Sequence, residues 1–100
     1  QRWPDSLLLG LGLGNALYAA GALADAEAAY AQVAQRHDSA PAWHNLARVR
    51  LERRDLSGAR AATDAAVRRA QHEPNWRDAV EVLRRDVERA TAGEGAAPRP

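Results

Sequence analysis

One hundred residues is the size of a single domain, and this chain is built mainly from alanine, with fourteen arginines, no lysine, no phenylalanine and no methionine. The absence of cysteine excludes disulfides, thiolate nucleophiles and thiolate-held metals. A formal net charge of +1 argues against a generic polyanion binder, although arginines outnumber acids between residues 41 and 92.

Alanine and arginine are strong helix formers, and the β-branched and aromatic residues that strands favour are scarce, so an all-α chain is expected. The first helix is expected over about 6–20, with Asp5 or Ser6 as its cap and Gly21 ending it. Residues 7–24 carry no charged side chain. A membrane or signal segment is still disfavoured there, because an acid and a proline precede it (Trp3-Pro4-Asp5) and Asn15 and four glycines interrupt it. With no methionine in the chain, residue 1 is expected not to be a translation start. The second helix is expected over about 23–37, with a short Asp38-Ser39-Ala40 link. The third runs from about Pro41, where a proline costs no hydrogen bond, to about Arg53. The fourth covers about 56–71. The fifth starts at Pro74 and ends near Ala92, leaving 93–100 as a disordered tail. Links this short force antiparallel neighbours.

The chain repeats at an interval of thirty-three residues. Pro41-x-Trp43 recurs as Pro74-x-Trp76, Leu13-Gly14 as Leu46-Ala47, and Ala26 as Ala59. Leu13-Gly14, Leu17-Tyr18, Ala26, Tyr30 and Val33, followed by Trp43, Leu46-Ala47, Leu56 and Ala59, resemble the tetratricopeptide (TPR) family. The interval is one residue short of that family's period of about 34. Arg50 and Thr63 stand where aromatics are common. The resemblance implies a solenoid of helical hairpins, about two and a half repeats or five helices long. Repeat one would cover about 6–39, repeat two about 40–73 and a C-terminal capping helix about 74–92, within a domain spanning 1–92. It also implies that Gly14, Ala26, Ala47 and Ala59 lie where paired helices cross. Tyr30 and Trp43 would fill the gaps between hairpins, with Leu13, Leu46 and Trp76 in the core. The wording Leu-Gly-Asn-Ala and Trp-x-Asn-Leu-Ala is also similar to C-terminal TPR modules of bacterial papain-like cysteine peptidases of the double-glycine type.

In such a stack the first helix of each hairpin lines a concave face, which here would carry Asn15, Tyr18, His44, Asn45, Arg48 and Arg77. Carboxamides can bond a peptide backbone, and a guanidinium can grip a carboxylate with two donors. The function expected is therefore protein or peptide binding without catalysis. The alternative is a non-catalytic accessory or oligomerisation module of a larger bacterial enzyme, with homo-oligomers as one form.

The other chemistries are weaker. Gly10-x-Gly12-x-Gly14 lacks the spacing of a dinucleotide loop, and Gly10 and Gly14 instead lie one helical turn apart, where they permit close packing. His37, His44 and His72 sit in separate segments, so no metal or other cofactor is expected. Ser6, Ser39 and Ser57 read as cap or turn residues. The arginines at 48–54, 68–69 and 84–89 interleave with acids in pairs such as Glu81–Arg85, which disfavours nucleic acid. The Ala- and Arg-rich usage suggests a bacterial protein of cytoplasm or periplasm.

Overall fold

Local capping chemistry sets the helix starts in the computed structural model, which describes residues 6–95. The Ser6 hydroxyl accepts from the Leu9 N–H at 3.3 Å and opens α1, Leu7–Ala19. Helix α2 is Leu23–His37. Ser39 accepts from the Ala42 N–H at 3.4 Å and opens α3, Ala40–Glu52, with Pro41 in its first turn. The Asp55 carboxylate accepts from the Gly58 N–H at 3.0 Å and opens α4, Leu56–Ala70. The last element differs from expectation. Pro74–Trp76 form a short 3-10 turn, and the helix proper, α5, is Arg77–Gly95. It therefore continues three residues beyond Ala92 and takes in the start of the segment assigned to a tail. Trp3-Pro4-Asp5 and the remainder of that tail lie outside the described residues.

The described residues are all helical apart from their links. Each helix packs on the next in the chain, and α5 also touches α3. The thirty-three-residue interval recurs in backbone detail. Gly21 ends the first hairpin's turn at φ 80, with its N–H on the Tyr18 carbonyl (3.0 Å) and the Ala22 N–H on the Leu17 carbonyl (2.9 Å). Arg54 does the same at φ 64, with its N–H on Leu51 (3.0 Å) and the Asp55 N–H on Arg50 (2.9 Å). Both hairpins close with the same Schellman pattern, once with glycine and once with arginine in the left-handed position.

Close approach of α1 and α2 rests on two glycines. A Cβ at Gly10 would collide with Val33, and one at Gly14 with the Tyr30 ring. As expected from the repeat, Gly14, Ala26, Tyr30, Leu46, Ala47 and Ala59 are buried. All but Gly14 join Val33, Val49, Leu83 and Val87 in the main core. A second cluster, Ala66, Ala70 and Val80, lies between α4 and α5. Trp43 is half-buried against both clusters and Trp76 against the second. The Trp43 indole N–H donates to Asp38 at 2.7 Å, so its polar end stays satisfied. Leu13 departs from its expected core role. It is only half-buried and joins neither cluster, because α2 covers one side of α1 and leaves the other open. Thr63, at an aromatic position of the family, is buried with its hydroxyl on the Ala59 carbonyl at 2.7 Å. Arg50 bridges three helices: its Nε meets Glu27 of α2 at 3.0 Å and its Nη1 donates to the Gly58 carbonyl of α4 at 3.2 Å. Arg53 adds a second bond to Glu27 at 2.6 Å.

The two equivalent turns make the same demand on sequence, met freely by Gly21 and at a cost by Arg54. A side chain in the left-handed region costs about 1 kcal/mol. Gly21→Ala lowers the thermal unfolding midpoint, measured by circular dichroism on matched samples.

Candidate functional site

The α1–α2–α3 junction leaves a cleft of about 190 Å³ lined by Asn15, Tyr18, Tyr30, Asn45, Arg48 and Val49. Asn15 and Tyr18 reach it from α1, Tyr30 from α2, and the rest from α3. Four of the six residues assigned to a binding face are thus brought together: Asn15, Tyr18, Asn45 and Arg48.

Each polar group in the cleft is held by a bond that leaves part of its capacity open. The Tyr30 hydroxyl donates to Asn15 Oδ1, a short contact that leaves the Asn15 amide N–H groups available. Asn45 Oδ1 sits 3.1 Å from His44 Nδ1, which must then carry the proton, and the Asn45 amide N–H groups remain available in the same way. Tyr18 donates to Glu52 at 2.5 Å across the α1–α3 junction. That bond to a carboxylate raises the Tyr18 pKa, and burial raises that of Tyr30, so both phenols stay protonated donors. Arg48 donates through Nη1 to Asp86 of α5 at 2.8 Å. The guanidinium holds the Asp86 carboxyl below the usual range, and Arg89 adds a second contact at 3.3 Å. Arg48 therefore faces the cleft while tied to the last helix, with the rest of its donor fork unspent by that bond.

The other two assigned residues sit elsewhere. Arg77 lies outside the cleft. Its Nε and Nη2 reach the Ala70 and Gln71 carbonyls, both at 3.4 Å, where α4 ends. The 3-10 turn is the reason: it places the first residue of α5 beside the C-terminus of α4, where a cation meets unpaired carbonyls. The His44 ring turns toward Trp76, with centroids 5.3 Å apart and planes tilted by 57°. It adjoins the cleft only through Asn45. Tyr30 was assigned to the core and belongs to both core and cleft. Asp86 was not singled out as a partner of Arg48. Its position between Leu83 and Val87, which are buried, marks it as the edge of the inward face and was the available signal.

The remaining arginines of the second half largely face carboxylates. Arg84 reaches Glu81 at 2.5 Å and Glu88 at 2.6 Å, and Arg85 reaches Glu81 at 3.1 Å, as its i,i+4 spacing implied. Arg84 and Arg85 together draw the Glu81 pKa down to about 2. Among the described residues no group of three or more His, Asp or Glu side chains could hold a metal ion, and no helix is long and apolar enough to cross a membrane.

Comparison with family models, with curated proteins and with solved structures gives no match for this chain.

Burial lowers the His44 pKa, with Arg48 adding to the effect and the Asn45 bond opposing it. The unfolded chain therefore takes up this proton first. The stability that neutral His44 contributes is complete above about pH 6.5 and is lost as pH falls through that value toward the lower folded pKa. The unfolding midpoint of the native chain falls between about pH 7.5 and pH 5. His44→Gln flattens that part of the profile, which parallel thermal melts read directly.

Proposed function

We propose that the chain is a TPR-type helical repeat module that holds an extended peptide from a protein partner in the cleft between α1 and α3. The observation that carries this reading is the convergence of Asn15 and Asn45 on one cleft, each with its carbonyl engaged within the chain and its amide donors open. Two such donors match the carbonyls of an extended backbone, and the open part of the Arg48 fork matches a carboxylate on or beside the peptide. The recurrence of caps and Schellman turns at thirty-three residues supports the repeat assignment. The absence of a match leaves that assignment resting on the chain's own residues. The pairing of Arg50, Arg53, Arg69, Arg84, Arg85 and Arg89 with nearby carboxylates leaves little unopposed basic surface, which favours a peptide over nucleic acid. The groups left open in the cleft are hydrogen-bond donors, which supports a reading of capture.

Selection of binders from a displayed library of random, unstructured peptides tests the reading. Selected peptides carry a carboxylate, and Asn45→Ala weakens their binding by roughly tenfold, the loss of about 1.4 kcal/mol expected for a hydrogen bond or two. Helicity and unfolding midpoint stay near those of the native chain. Selection of no binders, or equal affinity for native and Asn45→Ala proteins, contradicts the assignment.

A further inference from the structure

Helices α4 and α5 leave a groove along their seam. It holds two hollows, of about 350 Å³ and about 370 Å³, and the Arg84 side chain lines both. On α4 the groove is edged by Arg60, Asp64, Val67 and Gln71, and on α5 by Glu81, Arg84 and Glu88. Both rows step by three or four residues, so each is one stripe on its helix and the hollows belong to one groove. Along α4 that stripe covers about 16 Å, or three turns. The floor is apolar, with Val80 and Val87 buried and Val67 half-buried.

The groove opens on the side of the seam away from α3. Arg84 and Glu88 stand about half a turn round α5 from Asp86, which meets Arg48 of α3. Asp64 stands about half a turn round α4 from Ala62, which is buried with Leu46 and Val49 of α3. The stack itself shows what occupies such a place, because each earlier pair of neighbouring helices receives the next helix on its open side. Helix α3 reaches α1 through Tyr18 and Glu52, α4 reaches α2 through the Arg50 bridge, and α5 packs on α3 as well as on α4. Among the described residues, no helix lies on the α4–α5 pair.

We propose that this groove docks a helix of a partner protein, at a site separate from the peptide cleft. The lining defines the chemistry of that helix. From Asp64 in one hollow to Gln71 in the other is two turns, about 10.5 Å. The docking helix therefore carries two large apolar side chains seven residues apart, one for each hollow, and a small residue between them over Arg84. Glu81 and Glu88 already neutralise Arg84, so the charge left to meet lies on α4. Arg60 and Asp64 make no ion pair among the described residues. A helix running parallel to α4, as α4 runs parallel to α2, meets them with an acid and, one turn later, a base. A second copy of the chain does not supply this pattern from either end of its stack. Its α1 has no charged residue, and the valines seven apart on its α5, Val80 and Val87, are buried in its own fold.

Titration with a side-chain-stapled helical peptide of about sixteen residues tests this, read by the fluorescence anisotropy of a label at its end. The peptide carries leucines seven apart and the acid-then-base pair on the flank that faces α4. The native chain binds it one to one. Arg60→Glu weakens binding by roughly fivefold, and a peptide with lysine in place of that acid recovers the affinity on this variant alone. Helicity and unfolding midpoint hold, because Arg60 is exposed. Moving the second leucine two positions along turns it to the far side of the peptide and abolishes binding. Asn45→Ala leaves the affinity unchanged, so failure here and failure of the peptide cleft are separate results. No binding by the matched peptide, equal affinity for the native and Arg60→Glu chains, indifference to the leucine spacing, or loss of binding in Asn45→Ala overturns the proposal. A native chain that sediments as a dimer and is split by Arg60→Glu gives the groove to a second copy and overturns it as well.

Discussion

The seating of the Tyr30 ring in the notch at Gly14 is the contact on which both the fold and the cleft depend. Alanine dominates this core, and an alanine methyl buries little area, so each contributes on the order of 1 kcal/mol. Stability must come from backbones approaching closely and from a few large side chains wedged between them. Gly14 supplies the approach and Tyr30 the wedge. The same ring carries its hydroxyl to Asn15, fixing the carboxamide that lines the cleft. Gly10 and Val33 repeat the arrangement one turn earlier. Packing and site geometry are thus two consequences of one contact.

The remaining helices are joined by charge as much as by apolar area. Glu27 ties α2 to Arg50 of α3 and to Arg53 just beyond its end, and Arg50 continues to the Gly58 carbonyl of α4. Arg48 ties α3 to Asp86 of α5. Ala40 at the start of α3 donates its N–H to Glu73 at 2.9 Å, linking the first turn of the second hairpin to the entry of the last element. These pairs are partly exposed, so each contributes modestly. Their value is geometric, because they fix the rotation of successive helices and therefore which residues face the cleft. The two ends of the stack differ in kind. Helix α5 presents Glu81, Arg84, Arg85 and Glu88 in an ionic lattice, whereas α1 presents leucine and glycine.

Much of this was legible in the sequence because it depends on neighbours. Serine or aspartate before an apolar run, Pro41 in a first turn, and Gly21 at a hairpin all act within four residues, so helices α1 to α4 fall close to where those signals put them. The repeat interval marked small residues that are buried, because equivalent positions of the two hairpins face a paired helix in the same way. What was not legible depends on distant parts of the chain. Pro74 reads as a helix start, but the backbone makes a 3-10 turn there, and that single difference removes Arg77 from the cleft it was expected to line. His44 lies in the expected helix yet turns to Trp76, a ring thirty-two residues away. Leu13 matches Leu46 in spacing but not in burial, since spacing does not say whether a helix lies on the far side. Tyr30 could be placed in the core from its spacing, but its bond to Asn15 follows only once α1 and α2 are brought together.

A double-mutant cycle on Gly14 and Tyr30 tests the central contact most directly. In the native chain, Gly14→Ala forces a methyl into the Tyr30 ring and lowers the free energy of unfolding by about 1–3 kcal/mol. In a Tyr30→Ala background the ring is gone, and the same substitution raises stability by about 0.5–1 kcal/mol through helix propensity alone. A change of sign between the two backgrounds is the result expected. Gly14→Ala acting identically in both would show that the ring does not occupy the notch, and the packing of α1 on α2 described above would be wrong.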